Sequence, residues 1–149
     1  MTDRAARPTR ADYVARRTAT TRWRDDDAYG HLNNATYYEL FDTAVNAHLY
    51  EATGVDVRAL PQIGVVAETS CRYFREVGFP EPIEMGMVVD KVGSSSIIYR
   101  IGLFRGDSDE AAAEGRFVHV YVDNEHGAGN RPVVPMPDVV RAAVEPLLR

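Results

Sequence analysis

The sequence predicts an α+β fold in which one long helix packs on a five-stranded antiparallel sheet and a second helix closes the chain. Two observations carry this prediction. A continuous helical pattern runs from about Asn34 to Thr53 in the first half of the chain. From Ile63 to Val122, apolar and polar residues instead alternate with period two, and turn-forming residues interrupt the alternation at short intervals. Short connections of this kind join neighbouring antiparallel strands.

The central helix is predicted from its apolar stripe and from the residues at its two ends. Tyr37 and Phe41 belong to a set of apolar residues that recur at helical spacing, so one broad face suits packing against a sheet. Asn33 or Asn34 is a favourable N-cap, and Gly54 supplies a C-terminal stop. The pattern therefore indicates a helix of about five turns.

Five strands and a closing helix make up the rest of the predicted domain. The first strand is rich in threonine, and the other four form a meander in which each strand pairs with the next. Pro146 should weaken the end of the closing helix. The predicted strands are Thr18 to Arg24, Ile63 to Phe74, Ile83 to Val92, Ser95 to Phe104 and Ala111 to Val122, and the closing helix is Pro137 to Leu148.

The length and charge of the chain fit one acidic domain. A chain of 149 residues, of which 45% are hydrophobic, has the size and composition of a single globular domain. Arginines concentrate near the N-terminus, and we predict a flexible arginine-rich tail over residues 1–17 followed by one domain over residues 18–149. The formal net charge of −5 argues against a nucleic-acid partner, because binding a polyanion depends on clustered positive charge.

The sequence also predicts where the protein works and how it assembles. No segment resembles a signal peptide or reaches the roughly 18 apolar residues of a membrane span, so we expect a cytoplasmic protein without a membrane partner. A single helix cannot cover a sheet of long strands. The uncovered face or edge should therefore pair with another copy, and a pocket would lie where two copies meet.

A cluster of carboxylates before the central helix is the strongest candidate for chemistry. Asp25, Asp26 and Asp27 lie a few residues upstream of the helix start. A helix N-terminus offers unpaired N–H groups and partial positive charge, which suit a thioester or ester carbonyl oxygen that becomes negative in a transition state. A nearby carboxylate could attack the carbonyl carbon or activate a water. Aspartates are also common helix caps, so the residues alone leave both roles open.

Other polar residues give weaker signals. His31 fits either a structural hydrogen bond or a proton shuttle, and Glu68 fits an ion pair with a neighbouring arginine better than a catalytic role. Cys71, the only cysteine, is expected to act as a small strand hydrophobe. The histidines are too scattered for metal-ligand spacing, so no metal site is predicted; they are His31, His48, His119 and His126.

The segment from Trp23 to Tyr37 resembles the signature of hotdog-fold thioesterases of the 4-hydroxybenzoyl-CoA thioesterase type, including their long-chain acyl-CoA subgroup. The signature has an aspartate, then a histidine, an aliphatic residue, two asparagines and a tyrosine. In this sequence Asp27, His31, Leu32, Asn33, Asn34 and Tyr37 fill it. The resemblance is specific over roughly residues 20–45, and the later strand order suits the family. It implies a hotdog fold with Asp27 as the catalytic carboxylate and the backbone N–H of Asn34 as the oxyanion donor.

The resemblance further implies an acyl-CoA thioesterase that needs no metal or separate cofactor, since CoA is part of the substrate. Members are usually dimers or tetramers that bury the acyl group between subunits, and an acyl-carrier protein is an alternative thioester carrier. A non-catalytic acyl-CoA-binding dimer and an enoyl-thioester hydratase using Asp27 with His31 remain alternatives. The expected substrate-binding residues are Gly30, Asn33, Tyr37, Lys91, Ser94, Ser95, Ser96 and Arg131.

Overall fold

A computed structural model describes residues 6–125 and 129–149, so residues 1–5 of the predicted tail and His126 lie outside the described residues. One long helix packs on a five-stranded antiparallel sheet, which confirms the predicted fold class. No helix in the described ranges combines the length and apolarity needed to cross a membrane. The elements are β1 (Ala15–Ala19), α1 (Asn34–Thr53), β2 (Gln62–Tyr73), β3 (Ile83–Val92), β4 (Ser96–Arg105), β5 (Ala113–Asp123) and α2 (Asp138–Val144).

The strand order corrects the predicted meander. The sheet runs β1-β3-β4-β5-β2, so β2 does not pair with β3. Instead β2 pairs antiparallel with β5, from Gln62 opposite Asp123 to Tyr73 opposite Ala113. The prediction was wrong here because β1 occupies the edge of β3 that a meander would leave for β2. As a result β2 forms one edge of the sheet, and most of its residues are exposed.

The first strand lies earlier in the chain than predicted. β1 covers Ala15–Ala19, whereas residues 23–25 form a 3-10 turn. Asp25 closes this turn, because its carboxylate accepts hydrogen bonds from the backbone N–H and the guanidinium of Arg22, at 2.8 Å each. The predicted strand over Thr18 to Arg24 was therefore wrong beyond Ala19. Local side-chain bonds outweighed the β propensity of the threonines.

Both ends of α1 agree with the prediction. The Asn33 side chain caps the helix by accepting from the Ala35 N–H at 2.9 Å, and Gly54 ends it in the left-handed conformation at φ 71°. The apolar face lies on the sheet. Phe41 packs directly over Gly115 of β5, where an added Cβ would lie only 2.3 Å from the Phe41 ring. This contact fixes the height of α1 above the sheet.

The opposite face of the sheet is partly covered by the N-terminal segment. Tyr13 lies across Gly86 and Gly102, where a Cβ on either glycine would collide with its side chain. Its hydroxyl donates a 2.5 Å hydrogen bond to Glu114, which also accepts from Arg72 at 3.0 Å. The described residues just before β1 therefore pack on the domain.

The C-terminal helix is shorter than predicted. α2 covers Asp138–Val144, and residues 145–147 continue as a 3-10 turn. Pro146 lies in that turn, and proline cannot supply the N–H that an α-helix would require there. His48 of α1 contacts this region, since its Nε2 lies 3.1 Å from the Ala143 carbonyl oxygen. His48 thus links the two helices.

His119 provides a test of how burial governs stability. Its side chain is 3% exposed on β5, and burial lowers its pKa from 6.5 to about 4. The unfolded chain therefore binds a proton more readily than the native protein between these values. Its contribution to stability is complete above about pH 6.5 and declines as the pH falls towards 4, by at most about 1.4 kcal/mol per pH unit.

We therefore expect His119→Gln to unfold with a weaker pH dependence than the parent. The free energy of unfolding should be measured by denaturant titration at several values between pH 7 and 4.5. Carboxylates titrate in both proteins and cancel in the comparison. Equal slopes for the two proteins would contradict a buried neutral His119.

Candidate active-site cleft at the start of the central helix

A tight loop places Asp27 shortly before α1. The Asp27 N–H donates to the His31 carbonyl at 2.8 Å, and the Gly30 N–H donates to the Asp27 carbonyl at 3.1 Å. Gly30 has a φ of 79°, a conformation that favours glycine. The loop is further joined to the helix entry by a bridge between Asp26 and Leu32. These bonds hold Asp27 at a fixed position relative to the start of α1.

The Asp27 side chain is oriented by backbone donors of its own loop. Its Oδ1 accepts from the Tyr29 N–H at 2.9 Å and from the His31 N–H at 3.4 Å. The carboxylate is half-buried and lines a cleft. Asp25 and Asp26 are used differently: Asp25 closes the turn with Arg22, and Asp26 accepts from the Phe79 N–H at 3.1 Å. Asp27 is therefore the one of the three aspartates that lines the cleft.

The first N–H groups of α1 have different partners. The Ala35 N–H donates to the Asn33 side chain and the Thr36 N–H to the Asn33 carbonyl, both at 2.9 Å. The Asn33 N–H itself donates to the Asp25 carbonyl at 2.8 Å. The Asn34 N–H has no acceptor among the described residues. It is therefore the donor at this helix start that remains available to a ligand oxygen.

The cleft has a volume of about 470 Å³ and is open to solvent. Its two walls are the start of α1 and the end of β2. Tyr73 bridges them, because its hydroxyl donates to the Asn34 side-chain oxygen and its ring meets the buried Tyr37 ring edge-on at 5.0 Å. Burial raises the pKa of Tyr37 to about 12, so the phenol stays neutral. The lining residues are Asp27, His31, Leu32, Asn34, Tyr37, Tyr73, Phe74, Arg75 and Glu76.

His31 and two charged residues lie at the mouth of the cleft. The Nε2 of His31 is 3.0 Å from a carboxylate oxygen of Glu76; the His31 side chain is partly exposed and that of Glu76 is largely exposed. Arg75 is also exposed, and its guanidinium has no ion-pair partner among the described residues. Arg75 and Glu76 were not foreseen. They follow β2 in sequence, and only the pairing of β2 beside β5 brings its end to the start of α1.

The segment after β2 presses against the Asp27 loop, which gives a second testable expectation. A Cβ on Gly78 would lie 2.8 Å from the Gly30 carbonyl oxygen, a backbone atom that cannot rotate away. We expect Gly78→Ala to lower the free energy of unfolding by about 1–3 kcal/mol, as overpacking typically does.

Gly93→Ala is the matched control, because its Cβ would face the Ser96 hydroxyl, a side chain free to rotate, at 3.0 Å. Denaturant titration of both variants measures the difference. Equal stability of Gly78→Ala and the parent would show that the two loops are not in firm contact.

Several predicted substrate-binding residues do not line the cleft. Gly30 shapes the loop, and Asn33 caps the helix. The residues further along the chain lie at the other end of the sheet. Ser96 pairs with Val120, whereas the cleft residue Tyr73 pairs with Ala113. The separation along β5 is roughly 23 Å at about 3.3 Å per residue.

The same end of the sheet holds the other distant candidates. Ser94 and Ser95 belong to the β3–β4 turn, and Lys91 lies near the end of β3. Arg131 precedes Pro132, whose carbonyl accepts from Asp123 at the end of β5 at 3.0 Å. Within one chain, none of these residues reaches Asp27.

The remaining candidates for chemistry have structural surroundings. Burial raises the pKa of the Cys71 thiol to about 11, so it is protonated at neutral pH and a poor nucleophile. Glu68 pairs with Arg116, as predicted. Across residues 6–125 and 129–149 no group of three or more metal-ligating side chains comes together.

A larger cavity, about 570 Å³, lies elsewhere, between β1 and α1. Its arginines are already paired, Arg17 with Glu51 and Arg22 with Asp25. It holds no combination of a free carboxylate with a free helix N–H. The smaller cleft at Asp27 is therefore the better candidate site.

Known proteins share this architecture. The PA5185 protein from Pseudomonas aeruginosa is 44% identical, with a TM-score of 0.89 over 96% of this chain and 97% of that one. The PA2801 protein from the same species is 26% identical, with a TM-score of 0.75 over 86% and 95% of the two chains. The 1,4-dihydroxy-2-naphthoyl-CoA thioesterase Slr0204 from Synechocystis shares the fold at 10% identity, with a TM-score of 0.76 over 87% and 93%.

No curated protein matches the chain. The thioesterase-like superfamily matches residues 21–144, which include the Asp27 loop, α1 and every strand of the sheet except β1. Together with the architecture, this match over most of the sequence shows that the chain is a hotdog-fold protein that belongs to the thioesterase-like superfamily.

Proposed function

We propose that this protein hydrolyses an acyl-CoA thioester to a free acid and CoA in the cleft at the start of α1. The observation that carries the proposal is the pairing, in one cleft, of the Asp27 carboxylate with the unpaired Asn34 N–H at a helix N-terminus. Family membership and the CoA thioester named as the substrate of the Synechocystis neighbour support a thioester substrate.

Asp27 supplies the reactive carboxylate. Backbone N–H groups hold its Oδ1, which leaves Oδ2 without a donor among the described residues. Acting as a general base, Asp27 takes a proton from a water whose oxygen attacks the carbonyl carbon. Acting as a nucleophile, it forms an anhydride that water then hydrolyses. In both routes the carbon–sulfur bond breaks, and the thiolate of CoA leaves with the electron pair and takes up a proton.

The Asn34 N–H stabilises the negative oxygen that forms on the way. Asn34 is the first residue of α1, so the partial positive charge of the helix N-terminus strengthens the hydrogen bond that its N–H donates. Asn33 accepts hydrogen bonds from the Ala35 and Thr36 N–H groups, so these two donors are not available to the substrate. No metal is needed for this chemistry.

The CoA part of the substrate would meet the mouth of the cleft. Arg75 lies there without an acidic partner in the described parts of the chain and suits a phosphate group. Lys91, Ser94 to Ser96 and Arg131 are too distant in the same chain. They remain candidates for CoA binding only if a second copy brings them close, and an acyl-carrier protein remains an alternative carrier.

A dimer built on the β2 edge would close the site. β2 has 12 residues, and its outer edge leaves N–H and C=O groups unpaired beside exposed Val65 and Val66. We expect the protein to sediment as a dimer or a tetramer at micromolar concentration, measured by analytical ultracentrifugation. A monomer that is fully active at the same concentration would contradict a site shared between copies.

Turnover separates this proposal from its alternatives. Purified protein should release free thiol from at least one member of a panel of aromatic, short and long acyl-CoAs. A hydratase, for which Asp27 and His31 in one cleft would serve, would instead deplete the absorbance of an enoyl-CoA without releasing thiol. Binding of the panel without either reaction would identify a non-catalytic acyl-CoA-binding protein and defeat the proposal.

A further inference from the structure

An exposed aromatic pair, Trp23 and Phe79, lies beside the loop that carries Asp27. Trp23 is 81% exposed and Phe79 is 39% exposed, and their rings meet edge-on with centroids 6.0 Å apart. Tryptophan side chains bury most of their surface on average, because the indole is large and apolar. An indole with this much of its surface in water therefore offers a free ring face to a ligand.

The aromatic pair is held in place by polar contacts of its neighbours. Residues 23–25 form the 3-10 turn that Asp25 closes by accepting from Arg22 at 2.8 Å. The Phe79 N–H donates to the Asp26 carboxylate at 3.1 Å. Both contacts involve the residues directly before Asp27. The two rings therefore keep a fixed position relative to the Asp27 loop.

One segment connects the cleft to the aromatic pair. Residues 75–79 run alongside the Asp27 loop, because the Leu32 N–H donates to the Val77 carbonyl at 2.7 Å and the Phe79 N–H donates to Asp26. The first residues of this segment line the cleft, and its last residue belongs to the aromatic pair. A ligand that leaves the mouth of the cleft along this segment reaches the exposed indole.

Uncompensated positive charge lies at both ends of this path. Arg24 follows Trp23 in the 3-10 turn, and Arg75 lines the cleft. Both arginines are exposed, and neither forms an ion pair within the described ranges. Glu76, the acid next to Arg75, contacts His31 instead, at 3.0 Å. The surface therefore favours a ligand that combines an aromatic ring with anionic groups.

The spacing from Asp27 matches the pantetheine arm of CoA. Trp23 lies four residues before Asp27, so their separation is at most roughly 14 Å along an extended chain, and the turn shortens it. Between its sulfur and its pyrophosphate, the pantetheine arm has about as many chain atoms as four residues. A thioester carbonyl at Asp27 therefore places the nucleotide within reach of Trp23.

We propose that the aromatic pair is the adenine site of the substrate, where the Trp23 indole stacks on the adenine ring of CoA while Arg24 and Arg75 bind its phosphate groups. This inference rests on the proposed hydrolysis of a thioester in the Asp27 cleft. It identifies the carrier of the acyl group as CoA, because an acyl-carrier protein bears pantetheine without adenine.

Tryptophan fluorescence tests the contact directly, because Trp23 is the only tryptophan in the chain. Adenosine 3′,5′-bisphosphate, the nucleotide part of CoA, is titrated into the intact protein, and pantetheine is the matched ligand that lacks the nucleotide. We expect saturable quenching of the Trp23 emission by the bisphosphate and none by pantetheine. The apparent Kd should rise with salt concentration, because exposed arginine–phosphate contacts are screened.

Other occupants of the aromatic pair give different results. Absence of saturable quenching by the bisphosphate overturns the proposal. A Trp23 emission that shifts to shorter wavelength as the protein concentration rises, without a response to the bisphosphate, overturns it by showing that a second copy covers the indole. Quenching by a pantetheine-bearing acyl-carrier protein, but not by the bisphosphate, assigns the surface to that protein and also overturns the proposal.

Trp23→Ala tests the contribution of the stack to catalysis. The side chain is mostly exposed, so the variant should fold. We expect KM for the acyl-CoA to rise about five- to a hundredfold with little change in kcat, the usual effect of removing one base–aromatic stack. KM for the acyl-pantetheine with the same acyl group should not change. Trp23→Phe keeps an aromatic face and should restore most of the affinity. An equal rise of KM for both substrates would show that Trp23 acts on the loop and would overturn the proposal.

Arg75→Gln and Arg24→Gln test the phosphate contacts, and each should raise KM for the acyl-CoA about two- to tenfold. Arg16→Gln is the matched control, because Arg16 is also exposed and has no ion pair within the described ranges, but lies on β1. An equal effect of Arg16→Gln would attribute the change to net charge and overturn the assignment of the phosphates.

The two measurements separate this inference from the proposed hydrolysis. The quenching measurement contains no thioester, so quenching by the bisphosphate without hydrolysis of any acyl-CoA would retain the adenine site and defeat the hydrolysis. Hydrolysis of an acyl-CoA with the same KM in Trp23→Ala and the parent would retain the hydrolysis and defeat the adenine site.

Discussion

Asp27→Asn is expected to lower the rate constant for thioester hydrolysis by at least a hundredfold. The amide oxygen can still accept hydrogen bonds from the Tyr29 and His31 N–H groups, so the loop should keep its shape. The substitution removes the negative charge that takes a proton or attacks the carbonyl, and such groups contribute on the order of a hundred- to ten-thousandfold. The expected change is in kcat, with little change in KM if substrate binding is unaffected.

Asp26→Asn is the matched control for this prediction. Its carboxylate is the neighbour in sequence, accepts from the Phe79 N–H and does not line the cleft. It should retain at least a third of the parent kcat. If Asp27→Asn hydrolysed the preferred acyl-CoA as fast as Asp26→Asn, Asp27 would not be the catalytic carboxylate.

Asn34→Pro tests the oxyanion donor by removing one backbone N–H. Proline is favoured at the first position of a helix, where the N–H has no intrahelical partner. The preceding residue, Asn33, has φ −59° and ψ 140°, which a following proline tolerates. The helix should therefore form normally. Loss of one oxyanion donor typically costs roughly a hundred- to a thousandfold in kcat, and we expect that loss here.

Asn34→Ala separates the backbone from the side chain. It keeps the N–H and removes the side-chain oxygen that accepts from Tyr73. The comparison of interest is therefore proline against alanine at the same position, with the helical content of both checked by circular dichroism. Similar kcat values for the two variants would assign the oxyanion donor elsewhere.

Local sequence patterns predicted most of the helices and strands, because neighbouring residues determine where these elements begin and end. The asparagine cap and Gly54 determine both ends of α1, and these ends agree with the sequence. The first strand was misplaced because Asp25 binds Arg22 and closes a turn where threonine-rich sequence favours a strand. Intrinsic propensity does not include such side-chain contacts.

The order of strands could not be predicted from alternation. Period two says which residues share a face of a strand but not which strand lies beside it. β1 pairs with β3 and so displaces β2 to the far edge beside β5. This displacement brings the end of β2 to the Asp27 loop, and no pattern in the sequence indicates that Arg75 and Glu76 meet that loop.

The candidate site was only partly accessible from sequence for the same reason. Asp27, His31 and Asn34 lie close in the chain, so a short signature was sufficient to select them. The Asn34 N–H is left without an acceptor because Asn33 accepts from the next two N–H groups instead, and only the structure shows which N–H groups Asn33 binds.

The most direct test of thioester hydrolysis in the Asp27 cleft is a single-turnover measurement with protein in excess over an acyl-CoA that it binds. Under this condition the measured rate is that of the bond-breaking step, because product release does not limit a single turnover. We predict that the parent releases one equivalent of CoA thiol per substrate, and that Asp27→Asn, loaded with the same acyl-CoA, releases it at least a hundredfold more slowly. Bound acyl-CoA that the parent leaves intact, or equal release by both proteins, would contradict the account.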